Sequence, residues 1–108
     1  GYTVGFGMRN GATVNTCQVY NMQTNVPINV VATVDAASVK VYINKVLSGT
    51  TARTIYPASN SSKVKIASGP TSEYFPGRVY NAMLYNRPLS PQEISQNYDA
   101  LKGRFGLT

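Results

Sequence analysis

The chain has 108 residues, enough for one domain with a buried core and too few for two. Ten Lys and Arg against four Asp and Glu leave a net charge of +6, which favours an acidic partner or surface, and the lack of any histidine excludes His-based triads, Cys–His pairs and imidazole metal sites. Cys17 is the one cysteine, so no intrachain disulfide forms, and no apolar run reaches the ~18 residues of a membrane span.

The chain opens at Gly-Tyr-Thr rather than Met and shows no basic-then-apolar leader, as expected of a processed, trimmed or partly represented polypeptide. Tyr2, Val4, Phe6 and Met8 alternate with Thr3, Gly5, Gly7 and Arg9, the period of a half-buried strand. Asn10-Gly11 is a strong hairpin signal because both residues tolerate positive φ. A second strand is expected from about Ala12 to Tyr20, with no clear facing. Asn21–Asn25 reads as a loop. Pro27–Val34 is rich in β-branched residues and fits a central strand, with Pro27 at its start where no ladder donor is needed.

Asp35-Ala36-Ala37 makes a turn into Ser38–Asn44, which sets Val39, Val41 and Ile43 on one face and Lys40, Tyr42 and Asn44 on the other. Residues 46–62 are small and polar, with Gly49 and Pro57, and are expected to be irregular apart from a short strand at Thr54–Tyr56. Ser62–Ala67 alternates Val64 and Ile66 with Lys63 and Lys65, an outward-charged strand. Ser68–Pro76 is a loop and Gly77–Asn86 the last strand. A single helix follows. Ser90 caps it, Pro91 suits its first position, Glu93 completes a capping box, and Leu89 and Ile94 form a hydrophobic staple. Ile94, Tyr98 and Leu101 share its apolar face, Lys102 and Arg104 suit its negative end, and Gly103 is placed to end it.

Between Asp35 and Glu73 lie Lys40, Lys45, Arg53, Lys63 and Lys65 with no acid among them, which reads as a solvated basic face. No recognition motif or Arg-rich cluster accompanies them, so nucleic acid is not expected as a partner. Glycoside hydrolysis normally needs two positioned carboxylates. Asp35 falls in a turn, Glu73 in a loop, and Glu93 and Asp99 on the helix, where capping already explains Glu93. Acids this scattered also make a poor calcium site. No catalytic, cofactor or metal residue is therefore expected, and the chain does not read as an enzyme.

Gly5, Gly7 and Gly11 lack the spacing of a phosphate-binding loop and read as strand positions where something packs closely. Cys17 reads as a small buried hydrophobe. Asn60-Ser61-Ser62 is a formal glycosylation sequon, but no leader accompanies it. Tyr56 and Tyr74 lie in loops where a sugar-stacking site would form, whereas Tyr42, Tyr80, Tyr85 and Tyr98 suit core or rim.

Ile28–Thr33 with Asp35, followed by Val41-Tyr42-Ile43-Asn44, resembles the paired central strands of concanavalin A-like (laminin-G-like) lectin domains. Ile66–Gly69 is similar to the short strand before that family's isoleucine-glycine loop. Phe75-Pro76-Gly77-Arg78-Val79, Leu84–Ser90, Glu93-Ile94 and Asn97-Tyr98 resemble its last strand and terminal helix. The resemblance runs from about residue 27 to the end. It departs at Val26-Pro27-Ile28, where an aromatic is usual, and at Lys45, where a glycine is.

The fold it implies is all-β: an antiparallel β-sandwich, or jelly roll, with one short C-terminal α-helix. A whole jelly roll has more strands than can be placed here, so residues 1–108 are expected to form a single lectin-like domain that is the C-terminal part of a larger domain or polypeptide, the alternatives being a sandwich completed by another chain and a reduced sandwich. Lys102–Leu107 resembles the tails of versions found in tailed-phage structural proteins. That implies a noncatalytic virion protein, a capsid-decorating or tail-associated module, with other virion proteins and copies of itself as partners and no membrane contact. The alternative implied is an adhesin module that binds host surface glycans. No residue identifies a ligand, and any site is expected in the loops at 46–62 and 68–76 or outside this chain.

Overall fold

In a computed structural model, which describes residues 2–10, 13–55, 78–85 and 87–107, the element order is β1 (Tyr2–Asn10), β2 (Thr13–Met22), β3 (Val30–Val34), β4 (Ser38–Ile43), β5 (Val46–Ala52) and α1 (Pro91–Phe105). β1 and β2 form an antiparallel hairpin in which Met8 faces Asn15, Phe6 faces Cys17 and Val4 faces Val19. Burial settles the facing that the sequence of β2 leaves open: Asn15 and Cys17 turn inward, while Val14, Thr16 and Gln18 are exposed. The hairpin carries an irregularity between Tyr2 and Val4, and Asn21 adopts φ 60 there. Asparagine tolerates this left-handed conformation, so β2 runs to Met22 and overlaps the stretch expected to be loop.

β3, β4 and β5 form a second antiparallel sheet in that order. β3 starts later than Pro27 because the Asn44 side chain stands in for a ladder partner. Asn29 N–H donates to Asn44 Oδ1 at 2.9 Å, and Asn44 N–H donates to Asn29 O at 2.9 Å. The Asp35 turn is closed in the same way, its Oδ1 accepting from the N–H groups of Ala37 and Ser38, both at 2.8 Å. On β4, Val39 and Val41 are fully buried on one face, as their alternation predicts, and Tyr42 is buried on the other.

β5 corrects the sequence reading, which left 46–62 irregular. Asn44 and Lys45 both take left-handed backbone conformations (φ 48 and 64), the geometry of the two-residue turns that continue one twisted strand into the next. Lys45 does here what a glycine would do at less strain. Gly49, within β5, is small for a packing reason. A Cβ on Gly49 would lie 2.9 Å from Cys17 Sγ, so the absent side chain is what lets β5 approach β2. Gly5 also has a neighbour too close for a side chain, the Cys17 carbonyl oxygen at 2.8 Å, whereas Gly7 has ordinary room.

The two sheets meet face to face over Met8, Cys17, Val39 and Val41, with Val19, Val34, Ile43 and Ile55 packed around them. This is the expected sandwich. Cys17 is a buried free thiol within it. Complete burial of Val39 and Val41 contributes about 1.5–3 kcal/mol each. Thr54 and Ile55 carry no strand, Tyr56 lies outside the described residues, and so do the strand expected at 62–67 and the loop expected at 68–76.

Residues 78–85 show no strand, against the expectation of a last strand at Gly77–Asn86. A ladder needs an adjacent edge, and 81–85 line a cavity together with β3 residues and pair with no described strand. The helix follows the sequence more closely. Ser90 Oγ accepts from Glu93 N–H, and Glu93 Oε1 accepts from Ser90 N–H at 3.0 Å, completing the capping box. Ile94 and Tyr98 are buried and Leu101 half-buried on one face. Gly103 does not end it. The helix runs on to Phe105 and stops at Gly106, whose left-handed φ of 67 turns the N–H groups of Gly106 and Leu107 onto the Lys102 carbonyl.

Arg87 clamps Glu93 with two bonds, of 2.8 and 2.6 Å. That clamp, with the Ser90 N–H, lowers the Glu93 carboxyl from the usual 4.5 to about 2. A depressed carboxylate contributes stability above its unfolded pKa and loses it as pH falls through the folded one. The wild type is therefore expected to lose thermal stability between about pH 4.5 and pH 2 more steeply than Glu93→Gln, which keeps a capping amide but does not titrate. Parallel pH–melting curves would contradict this.

Candidate functional site

β3 is an edge strand among the described residues, and its outer side faces a cavity of about 350 Å³. Asn29–Ala32, 81–85 and Arg87 line it, together with Leu89, Asn97 and Leu101. The helix is tied to the sheet by Lys45, whose Nζ lies 3.1 Å from Asp99 Oδ1 and 5.4 Å from the centre of the Tyr98 ring. The 78–85 segment is tied to the far end of the helix by Tyr80, which stacks on Phe105 at 5.7 Å between ring centres.

The cavity volume lies in the range of small-ligand sites. The polar residues that line it are Asn29, Asn81, Asn97, Tyr85 and Arg87, whose guanidinium is held by Glu93. Asn29 Oδ1 is buried and has no hydrogen-bond partner among the described residues. Such an atom carries an unmet desolvation cost until something donates to it. Val79, Tyr80, Met83, Leu84 and Tyr85 are all exposed, Leu84 at 87%. Exposed apolar side chains clustered in one segment in this way mark a surface that another molecule covers.

The described carboxylates are committed elsewhere. Asp35 holds its turn, and the N–H groups of Ala37 and Ser38 lower its pKa. Glu93 caps the helix and binds Arg87, and Asp99 pairs with Lys45. Glu73 lies outside the described residues. No group of three potential metal-ligating side chains occurs among the described residues.

Two of the five basic residues expected on a solvated face have structural partners. Lys45 bonds to Asp99, and Arg53 donates to the carbonyls of Asp35 and Ile55 at 3.0 and 2.9 Å. Lys63 and Lys65 lie outside the described residues. Of the tyrosines, Tyr42 and Tyr98 are core, Tyr80 and Tyr85 are exposed at the cavity side, and Tyr56 and Tyr74 lie outside the described residues.

The sequence reading assigns every residue of this cavity to architecture, as central strand, last strand or helix. Its one local signal is the uncharged stretch Val79–Tyr85, whose apolar residues do not alternate as a half-buried strand requires.

A family model for the concanavalin A-like lectin/glucanases superfamily matches residues 1–95. The match includes β1 and β2, which the sequence resemblance, starting at about residue 27, leaves out. No curated protein and no solved structure matches the chain.

Proposed function

The chain belongs to the concanavalin A-like lectin/glucanases superfamily, and we propose that it uses this fold as a noncatalytic packing module of a phage virion, on the capsid or the tail. The observation that carries the reading is the set of exposed apolar side chains at Val79, Tyr80, Met83, Leu84 and Tyr85, with a β3 edge that no strand pairs among the described residues, a surface suited to being covered by protein. The commitment of Asp35, Glu93 and Asp99 to turn, cap and ion pair supports a noncatalytic role. The net charge of +6 favours an acidic neighbour, so attachment weakens as salt screens the rim charges. Electron microscopy of the particle is the test. Symmetric density on the shell or tail is the expected result, and absence of the chain from purified particles sinks the reading.

A second reading, a glycan-binding adhesin module, is favoured by one observation: three asparagine amides and Tyr85 around a cavity of sugar size. Specific hits on a glycan array, lost in Asn97→Ala, would select it.

A further inference from the structure

We infer that the cavity lined by the β3 edge and residues 81–85 is a strand-binding slot, whose occupant is one extended, uncharged segment of a partner polypeptide with acidic residues at one end. The inference rests on the packing-module reading and names the form of the partner.

The backbone sets the first requirement. The bonds Asn44 N–H to Asn29 O and Asp35 N–H to Ser38 O fix the phase of the β3–β4 ladder. In an antiparallel pair these positions alternate, so Val31 and Thr33 turn their N–H and C=O groups toward β4. Val30, Ala32 and Val34 turn theirs outward, toward a side where no strand pairs among the described residues. Three consecutive donor–acceptor sets at strand spacing match another strand better than a compact ligand.

Residues 29–32 and 81–85 line the same cavity, room that suits a single extended chain better than the edge of a folded sheet. Asn29, which lines the cavity, also has a buried Oδ1 with no donor among the described residues.

Charge sets the second requirement. No charged residue occurs from Asn29 to Val34 or from Val79 to Tyr85, so a charge in the middle of the occupant would be desolvated without a partner. Arg78 stands exposed just before the second of these segments, while Arg87 just after it is already neutralised by Glu93. The acidic end of the occupant therefore lies at the Arg78 side.

The probe is a synthetic peptide in which valine and threonine alternate after two aspartates, titrated into the full chain while amide exchange is followed by NMR. Exchange is expected to slow at Val30, Ala32 and Val34 and to stay unchanged at Val31 and Thr33. Ala32→Pro removes an outward N–H that β4 does not use, a substitution edge strands tolerate. It is expected to weaken peptide binding about tenfold, the loss of one to two hydrogen bonds. A peptide N-methylated at alternate residues serves as a control that leaves the protein untouched, and it is expected not to bind.

Lack of protection at saturating peptide overturns the slot, as does binding that survives both the Ala32→Pro change and N-methylation. Protection of the same three amides without peptide, in a sample that sediments as a dimer, gives the edge to a second copy and also overturns it. Cavity shifts caused by an oligosaccharide but not by the peptide give the site to a sugar. Particle density without peptide binding removes the slot and leaves the packing role. Peptide binding by a chain absent from particles removes the virion setting and leaves the slot.

Discussion

Tyr98→Ala is expected to lower the free energy of unfolding by about 3–5 kcal/mol, as large-to-small changes at buried aromatic positions do. Tyr98 is the largest fully buried side chain of the described residues and lies one turn after the equally buried Ile94. Its ring also carries Lys45 at 5.4 Å, and the adjacent Asp99 holds the same lysine at 3.1 Å. Truncation therefore removes the burial that docks the helix and loosens the contact that joins it to the β4–β5 turn.

A 15-residue helix is marginal on its own in water, so helical signal is expected to fall before the sheets melt. Tyr98→Phe keeps the ring and is expected to cost no more than about 1.5 kcal/mol. Urea titration followed by circular dichroism checks both. A Tyr98→Ala loss below that of Tyr98→Phe would mean that the helix does not depend on this side chain.

Asn15→Ala is expected to cost about 2–4 kcal/mol, the sum of three ordinary hydrogen bonds. Asn15 is a buried amide in an otherwise apolar row, and all three bonds go to one place. Its Nδ2 donates to Thr54 Oγ1 at 2.9 Å, and its Oδ1 accepts from Thr54 N–H at 2.8 Å and Ile55 N–H at 3.2 Å. These bonds fasten the chain leaving β5 to the opposite sheet, where Ile55 joins the core. Thr54→Val removes one of them and is expected to cost about a third as much. Faster amide exchange at Thr54 and Ile55 accompanies the larger loss, and equal losses for the two variants would refute this role for Asn15.

The helix was legible because each of its signals is local: Ser90, Pro91 and Glu93 lie within one turn, and the apolar stripe needs only its own period. Its end was less so, since both Gly103 and Gly106 suit a C-cap, and only the backbone shows that Gly106 takes the left-handed position. The β3–β4 hairpin was legible for the same reason of locality. β5 was not, because the smallness of Gly49 makes sense only against Cys17, 32 positions earlier in the chain and on the other sheet.

Asn15 was equally opaque, as a polar residue in a strand carries no mark of the backbone it will serve. The candidate site was missed because it is an edge left without a partner strand among the described residues. Val30–Val34 and Val79–Tyr85 both have strand-like composition, and composition does not say whether two such segments meet or leave a gap.

The contact between Gly49 and Cys17 gives the molecule an internal reporter. The thiol is 2% exposed and wedged at the seam where β5 crosses β2, so a thiol reagent reaches it only when the halves of the sandwich part. Its labelling rate in native buffer then measures how often they part, without denaturant. Because Cys17 is the one cysteine, that readout comes from the unmodified chain. Comparing the rate with a partner bound and absent would tell whether covering the β3 edge holds the whole sandwich closed or only its rim.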